Sequence, residues 1–137
     1  MQSGAIKDHQ LTASTNFNET YNARLDTMKG GAHTIGMDCS TSVGLTWFKI
    51  DFGQVKTVTG IATQGDAIEK WWITEYSLFY RNDSTSTINA GSFPGNKDQH
   101  GIVYNAFSSP ITAKIIFLRP TACYENVGLR MELYGCP

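Results

Sequence analysis

Trp47-Phe48-Lys49-Ile50-Asp51-Phe52-Gly53 is the stretch on which the fold turns. Phe48, Ile50 and Phe52 alternate with Lys49 and Asp51, so an extended chain puts the apolar side chains on one face and the charged ones on the other. A helical period would instead turn Ile50 away from Phe48. Gly53 closes the run as a strand-ending residue. On the far side of this glycine, Val55 to Thr63 is rich in β-branched residues, and Gly65-Asp66 ends it with turn chemistry. From Ile73 to Tyr80 the period of two returns, with Tyr76, Leu78 and Tyr80 opposed to Glu75 and Ser77, before the polar turn Arg81-Asn82-Asp83-Ser84. Ile111 to Leu118 is almost wholly apolar between Pro110 and Pro120, the pattern of a central strand covered on both faces. Gly128 to Tyr134 alternates Leu129, Met131 and Leu133 with Arg130, Glu132 and Tyr134. Helical periods are nearly absent. Short strands separated by Gly, Asn, Ser and Pro clusters, without βαβ spacing, predict an all-β antiparallel sandwich or barrel. Two long connections with little periodicity, 16–46 and 84–101, remain as candidate functional loops.

The chain has 137 residues, enough for one core, and residues 1–137 read as a single domain of a larger extracellular protein. With 11 Lys plus Arg against 12 Asp plus Glu, no global field favours nucleic acid or an anionic membrane, so attraction must be local. The longest apolar run, Ile115-Ile116-Phe117-Leu118, is far short of the roughly 20 residues of a spanning helix. Met1-Gln2-Ser3-Gly4 has no charged-then-apolar targeting pattern. Cys39, Cys123 and Cys136 have neither zinc nor redox spacing. Sequons at Asn18 and Asn82 mark glycosylation candidates and suit a secreted or cell-surface protein. His9, His33 and His100 lie far apart, and no nucleophile motif, phosphate loop or EF-hand pattern is present, so no catalysis is expected.

The ordered landmarks resemble the discoidin family, also called the coagulation factor V/VIII type C family. They run from Ser3-Gly4-Ala5-Ile6-Lys7-Asp8 and Leu11-Thr12-Ala13-Ser14 through Ala23-Arg24-Leu25 and the tryptophan strand 47–53. Ala62-Thr63-Gln64-Gly65, Trp72-Ile73-Thr74-Glu75-Tyr76 and Phe93-Pro94-Gly95-Asn96 follow. Asn105-Ala106-Phe107, Pro110-Ile111 and Leu129-Arg130-Met131-Glu132-Leu133-Tyr134-Gly135-Cys136 complete the set. The resemblance implies an eight-stranded antiparallel jelly-roll β-sandwich whose loops at one end bind lipids, glycans or proteins. In the family, the cysteine matching Cys136 pairs with one upstream of the Ser3 segment. The resemblance places Cys39 and Cys123 in two loops near the ligand end, where a Cys39–Cys123 disulfide is expected; two free buried thiols are the alternative. Lys114 and Phe117 stand where the family often has arginines, which weakens transfer of a phosphate-specific role.

By the same resemblance, Asn16, Phe17 and Tyr21 belong to a first ligand-end spike, where aromatics flanked by amides suit a sugar face. Ile68, Lys70 and Trp71 belong to a second. Trp72 matches the family's structural tryptophan and is expected in the core, which turns Trp71 outward and makes it the leading binding residue. Met37 is a candidate apolar tip in the third loop. Arg130 and Arg24 read first as structural arginines, with Arg130 kept as a ligand contact. Asp26, Asp38 and Asp66 could supply oxygens to a structural calcium, although their spacing gives no specific support; no other cofactor is expected. Three functions compete: recognition of cell-surface glycan, peripheral binding to anionic phospholipid such as phosphatidylserine, and adhesion to an extracellular protein. Glycan stands first, because the loops are amide-rich and the charge is near neutral.

Overall fold

The computed structural model describes residues 6–14, 17–18, 23–25, 27–28, 30–34, 39, 46–82 and 86–136. After a short 3-10 helix at Asp8–Gln10 come β1 (Leu11–Ala13), β2 (Phe17–Asn18), β3 (Ala32–Thr34), β4 (Phe48–Gln64), β5 (Trp72–Arg81), β6 (Ile88–Pro94), β7 (Val103–Tyr124) and β8 (Gly128–Cys136). All their ladders are antiparallel.

The long strands β4 and β7 pair with each other along most of their length but bend at two irregularities. Between Asp51 and Lys56 several residues of β4 face a single residue of β7, and between Val58 and Gly60 the excess lies on β7. Gly53, at φ +76°, allows the first bend. The N-terminal half of β4 pairs with β1 and with the C-terminal half of β7, which pairs in turn with β5 and then β6. The other halves pair with each other, and β8, β3 and β2 extend that ladder from β4. Each long strand therefore descends one layer, turns a corner and climbs the other, making a jelly-roll sandwich closed below and looped above.

The inward residues of both layers form one core. Phe48, Ile50, Tyr76, Leu78, Ile116 and Leu118 from the first meet Val58, Ile61, Leu129 and Met131 from the second. The alternation read in strands β4 and β5 is thus borne out, but three expectations change. The 84–101 connection contains β6, an edge strand whose Gly, Asn and Pro content hides it. Pro110 and Pro120 lie inside β7 instead of bracketing it, at register irregularities where an amide hydrogen is dispensable. Gly53, read as the end of a strand, lies inside β4, which bends there and runs on to Gln64.

Asn105 ties the layers together, its amide donating to the Tyr76 hydroxyl (3.1 Å) and the Pro94 carbonyl (2.9 Å). Burial pushes the Tyr76 phenol up from 10.0 to about 12, against a smaller opposing effect of the Asn105 hydrogen bond. The unfolded chain ionises Tyr76 near pH 10 and the folded one only near 12. Stability from this group is complete below pH 10 and falls as pH rises to 12, by about 2 to 3 kcal/mol in all. Denaturant melts at pH 9 and 11.5 should show wild type losing most of this margin, about 2 kcal/mol, relative to Tyr76→Phe; equal losses would contradict it.

The candidate ligand-binding end

The upper end gathers the β4–β5 loop (65–71), the β6–β7 loop (95–102), the β7–β8 turn (125–127) and the segment entering β3. Their backbones are organised from beneath by Arg130, which is 1 % exposed. Its Nε donates to the Gly65 carbonyl (2.6 Å), Nη1 to that of Thr27 (2.7 Å) and Nη2 to that of Gln99 (3.1 Å), with His100 Nδ1 at 3.2 Å from Nη2. The planar guanidinium fork thereby holds three loops at once. The expectation of Arg130 as a ligand contact gives way to this role, since its donors face loop carbonyls and not the surface. Arg24 also acts structurally, donating to the Ile6 carbonyl and pairing with the Asp8 carboxylate.

Asp66 shapes the Trp71 loop. Its Oδ1 accepts the amides of Ile68 (2.9 Å) and Glu69 (3.0 Å), and its own amide donates to the Trp71 carbonyl (2.9 Å). This self-bonded turn accounts for a buried Asp with no cation partner among the described residues. Among the described residues no group of three or more His, Cys, Asp or Glu is placed to hold a metal ion, and Asp26 and Asp38 lie outside them. Ala67 donates to the Gly30 carbonyl (3.1 Å), joining this loop to the β3 entry.

The disulfide Cys39–Cys123 is formed, with S–S 2.01 Å, and the Cys39 amide donates to the Glu125 carbonyl (3.1 Å). The third loop is thus fastened to the end of β7.

Above this framework Ile68 is 66 % exposed, with Glu69 and Lys70 exposed beside it. Trp71 is half-buried, its ring 5.7 Å from that of His33 at 45°. The Trp71 backbone and Cβ pack so closely over Gly128 that a Cβ there would come within 2.8 Å of the Trp71 carbonyl oxygen. Trp72 departs from its expected core position. It is half-buried and stacks on Tyr124 at 4.3 Å and 7°, because Ile73 takes the inward place at the start of β5. Of the first spike, Phe17 and Asn18 form β2, whose backbone pairs with Thr34 and His33 of β3. Asn16, Tyr21 and Met37 lie outside the described residues. Asn82 is exposed at the lower end, remote from the loops. Two features escaped the sequence reading: His33 as the ring beside Trp71, and Met28, 73 % exposed near the β3 entry.

A family model described as F5/8 type C domain matches residues 10–133. Neuropilin-1 of Gallus gallus is 33 % identical over 99 % of this chain, which covers 16 % of that protein. Coagulation factor VIII of Mus musculus is 37 % identical over 99 % of the chain and 6 % of its own length. For Retinoschisin of Takifugu rubripes the figures are 32 %, 98 % and 53 %. The chain thus spans about half or less of these curated relatives. Among solved structures, wild-type discoidin II from Dictyostelium discoideum matches with TM-score 0.82 and 26 % identity, covering 93 % of this chain and 54 % of that one. The family 32 CBM from C. perfringens NanJ, in complex with galactose, matches with TM-score 0.67 at 19 % identity, covering 92 % and 91 %; that likeness is one of fold.

Proposed function

The chain belongs to the F5/8 type C domain family, and from that premise we propose that it is a non-catalytic, extracellular recognition module whose upper loops bind a cell-surface glycan. One observation carries the reading. Trp71 stands half-buried against His33, with polar and charged side chains around it, on a loop fixed by Asp66 and Arg130. A sugar presents an apolar C–H face ringed by hydroxyls, so it needs a rigid aromatic plane and nearby polar groups. Here the ring is held before the ligand arrives, which limits the ordering cost of binding. The galactose held by the NanJ module of like fold supports the ligand class. The disulfide supports an oxidising compartment.

A second reading rests on a different observation. Met28 and Ile68 are both strongly exposed on loops joined by the Ala67–Gly30 hydrogen bond, and Lys70 is close by. Apolar tips beside a cation suit an anionic phospholipid surface, although one lysine near a membrane contributes only about 1 kcal/mol. Trp71→Ala should lower glycan binding on an array at least tenfold, about 1.4 kcal/mol, and leave any liposome binding largely intact. Ile68→Ser should do the reverse on phosphatidylserine vesicles. Unchanged glycan binding in Trp71→Ala would reject the first reading.

A further inference from the structure

The outer face of the first layer, remote from the upper loops, carries a second constellation. Phe79 of β5 and Phe117 of β7 are cross-strand partners. Each ring is capped by an arginine of the opposite strand, with the Arg119 guanidinium carbon 5.7 Å from the Phe79 ring centre and that of Arg81 5.3 Å from Phe117. The two caps are reciprocal, since Arg81 and Arg119 lie two residues beyond their own phenylalanines on strands of opposite direction. Trp47 meets the edge of Phe117 at 6.0 Å and 82°, and Lys49 is the β4 partner of the same residue. Trp47, Phe79, Thr87, Phe117 and Arg119 line a half-open surface cavity of about 330 Å³.

The charges here invite an anion. Nε of Arg81 is buried and has no hydrogen-bond partner among the described residues, where such donors are normally satisfied. Among the described residues the carboxylates of this face are engaged at its ends, Asp51 accepting from the Gly53 amide (2.9 Å) and Glu75 from the Thr121 hydroxyl (2.9 Å). Contact with the rings restrains both guanidinium groups, which leaves less freedom to lose when a carboxylate docks.

We propose that this face binds an acidic peptide segment, with one apolar side chain in the cavity and flanking carboxylates on Arg81 and Arg119. The cavity wall argues for a peptide over a sugar. A guanidinium group lies over each of its two phenylalanine rings, which competes with a sugar for those planes. Among the described lining residues the polar side-chain atoms are the Thr87 hydroxyl, the Arg119 guanidinium and the Trp47 indole N–H, few for a sugar ring whose hydroxyls all need partners. An aliphatic or aromatic side chain makes no such demand.

The test uses a fluorescein-labelled peptide with a central leucine between pairs of glutamates, followed by anisotropy on the 137-residue chain at low salt. Saturable binding should weaken at least tenfold in Arg81→Gln/Arg119→Gln, and equally when serine replaces the central leucine. Thr87→Glu, at an exposed position outside the strands, should have the same effect without disturbing the fold. Trp71→Ala should leave peptide binding unchanged, so the failure of this site and that of the glycan site are separable. Peptide binding that is absent, or indifferent to both Arg81→Gln/Arg119→Gln and Thr87→Glu, overturns the proposal. Capture of a sulfated oligosaccharide by this face in place of the peptide does so too.

Discussion

Replacing Cys39 and Cys123 together by serine is expected to lower the free energy of unfolding by about 4 kcal/mol. The bond joins residues 84 apart in sequence. On the chain-entropy estimate, a loop of that size removes roughly 4 to 5 kcal/mol of freedom from the unfolded ensemble. The contribution acts mostly on the unfolded chain, so the strand pairing of the double variant should survive. Guanidinium melts of the oxidised protein and of Cys39→Ser/Cys123→Ser provide the comparison. A shift below 1 kcal/mol would mean that the crosslink constrains little that the fold does not already constrain. A second readout is the upper end itself. Cys123 pairs with Ile73 in the β5–β7 ladder and Cys39 donates to Glu125, so hydrogen exchange at these amides should quicken once the link is gone.

Arg130→Met is expected to cost about 3 kcal/mol and roughly 10 °C in melting temperature. The methionine keeps an apolar stem but removes the donors that reach Gly65, Thr27 and Gln99. Gln99 retains the Gly65 amide as a partner, so the carbonyls of Gly65 and Thr27 are the ones exposed to loss. Arg130→Lys should recover only part of the difference, because an ammonium cannot span three directions in one plane. Thermal melts and loop-specific hydrogen exchange distinguish this from a general weakening. If Arg130→Lys proved as stable as wild type, the side chain would be a charge and not a fork.

The fold was legible where burial is one-sided. Phe48 and Ile50, or Tyr76 and Leu78, announce themselves by a period of two because each has a polar neighbour on the solvent face. β6 was not legible for the converse reason: its Ile88-Asn89-Ala90-Gly91-Ser92-Phe93-Pro94 sequence forms a largely exposed edge, so no alternation is imposed on it. The strand alternation used to turn Trp71 outward does not apply, because β5 begins at Trp72 and Trp72 stacks on Tyr124 instead of entering the core; Trp71 is a loop residue whose place is set by the Asp66 turn. The Arg130 arrangement was hidden more deeply. Its acceptors are backbone carbonyls, and a carbonyl leaves no mark in a sequence. His33 beside Trp71, and the reciprocal arginines over Phe79 and Phe117, depend on contacts between residues remote in the chain. Only strand register brings such residues together.

The two bent strands bear on how the molecule emerges from a ribosome. β8 lies between β3 and β4 in the second layer, yet it is the last of them to be synthesised. Until residues 128–136 have left the exit tunnel, β4 carries an unpaired edge and β3 has no sheet to join. Because β4 and β7 run through both layers, neither layer can be completed by local pairing alone. Such non-local closure is slow, on the scale of milliseconds to seconds. The nascent domain therefore waits for residues 128–136 with an open β edge, the state in which a holding chaperone has most to protect.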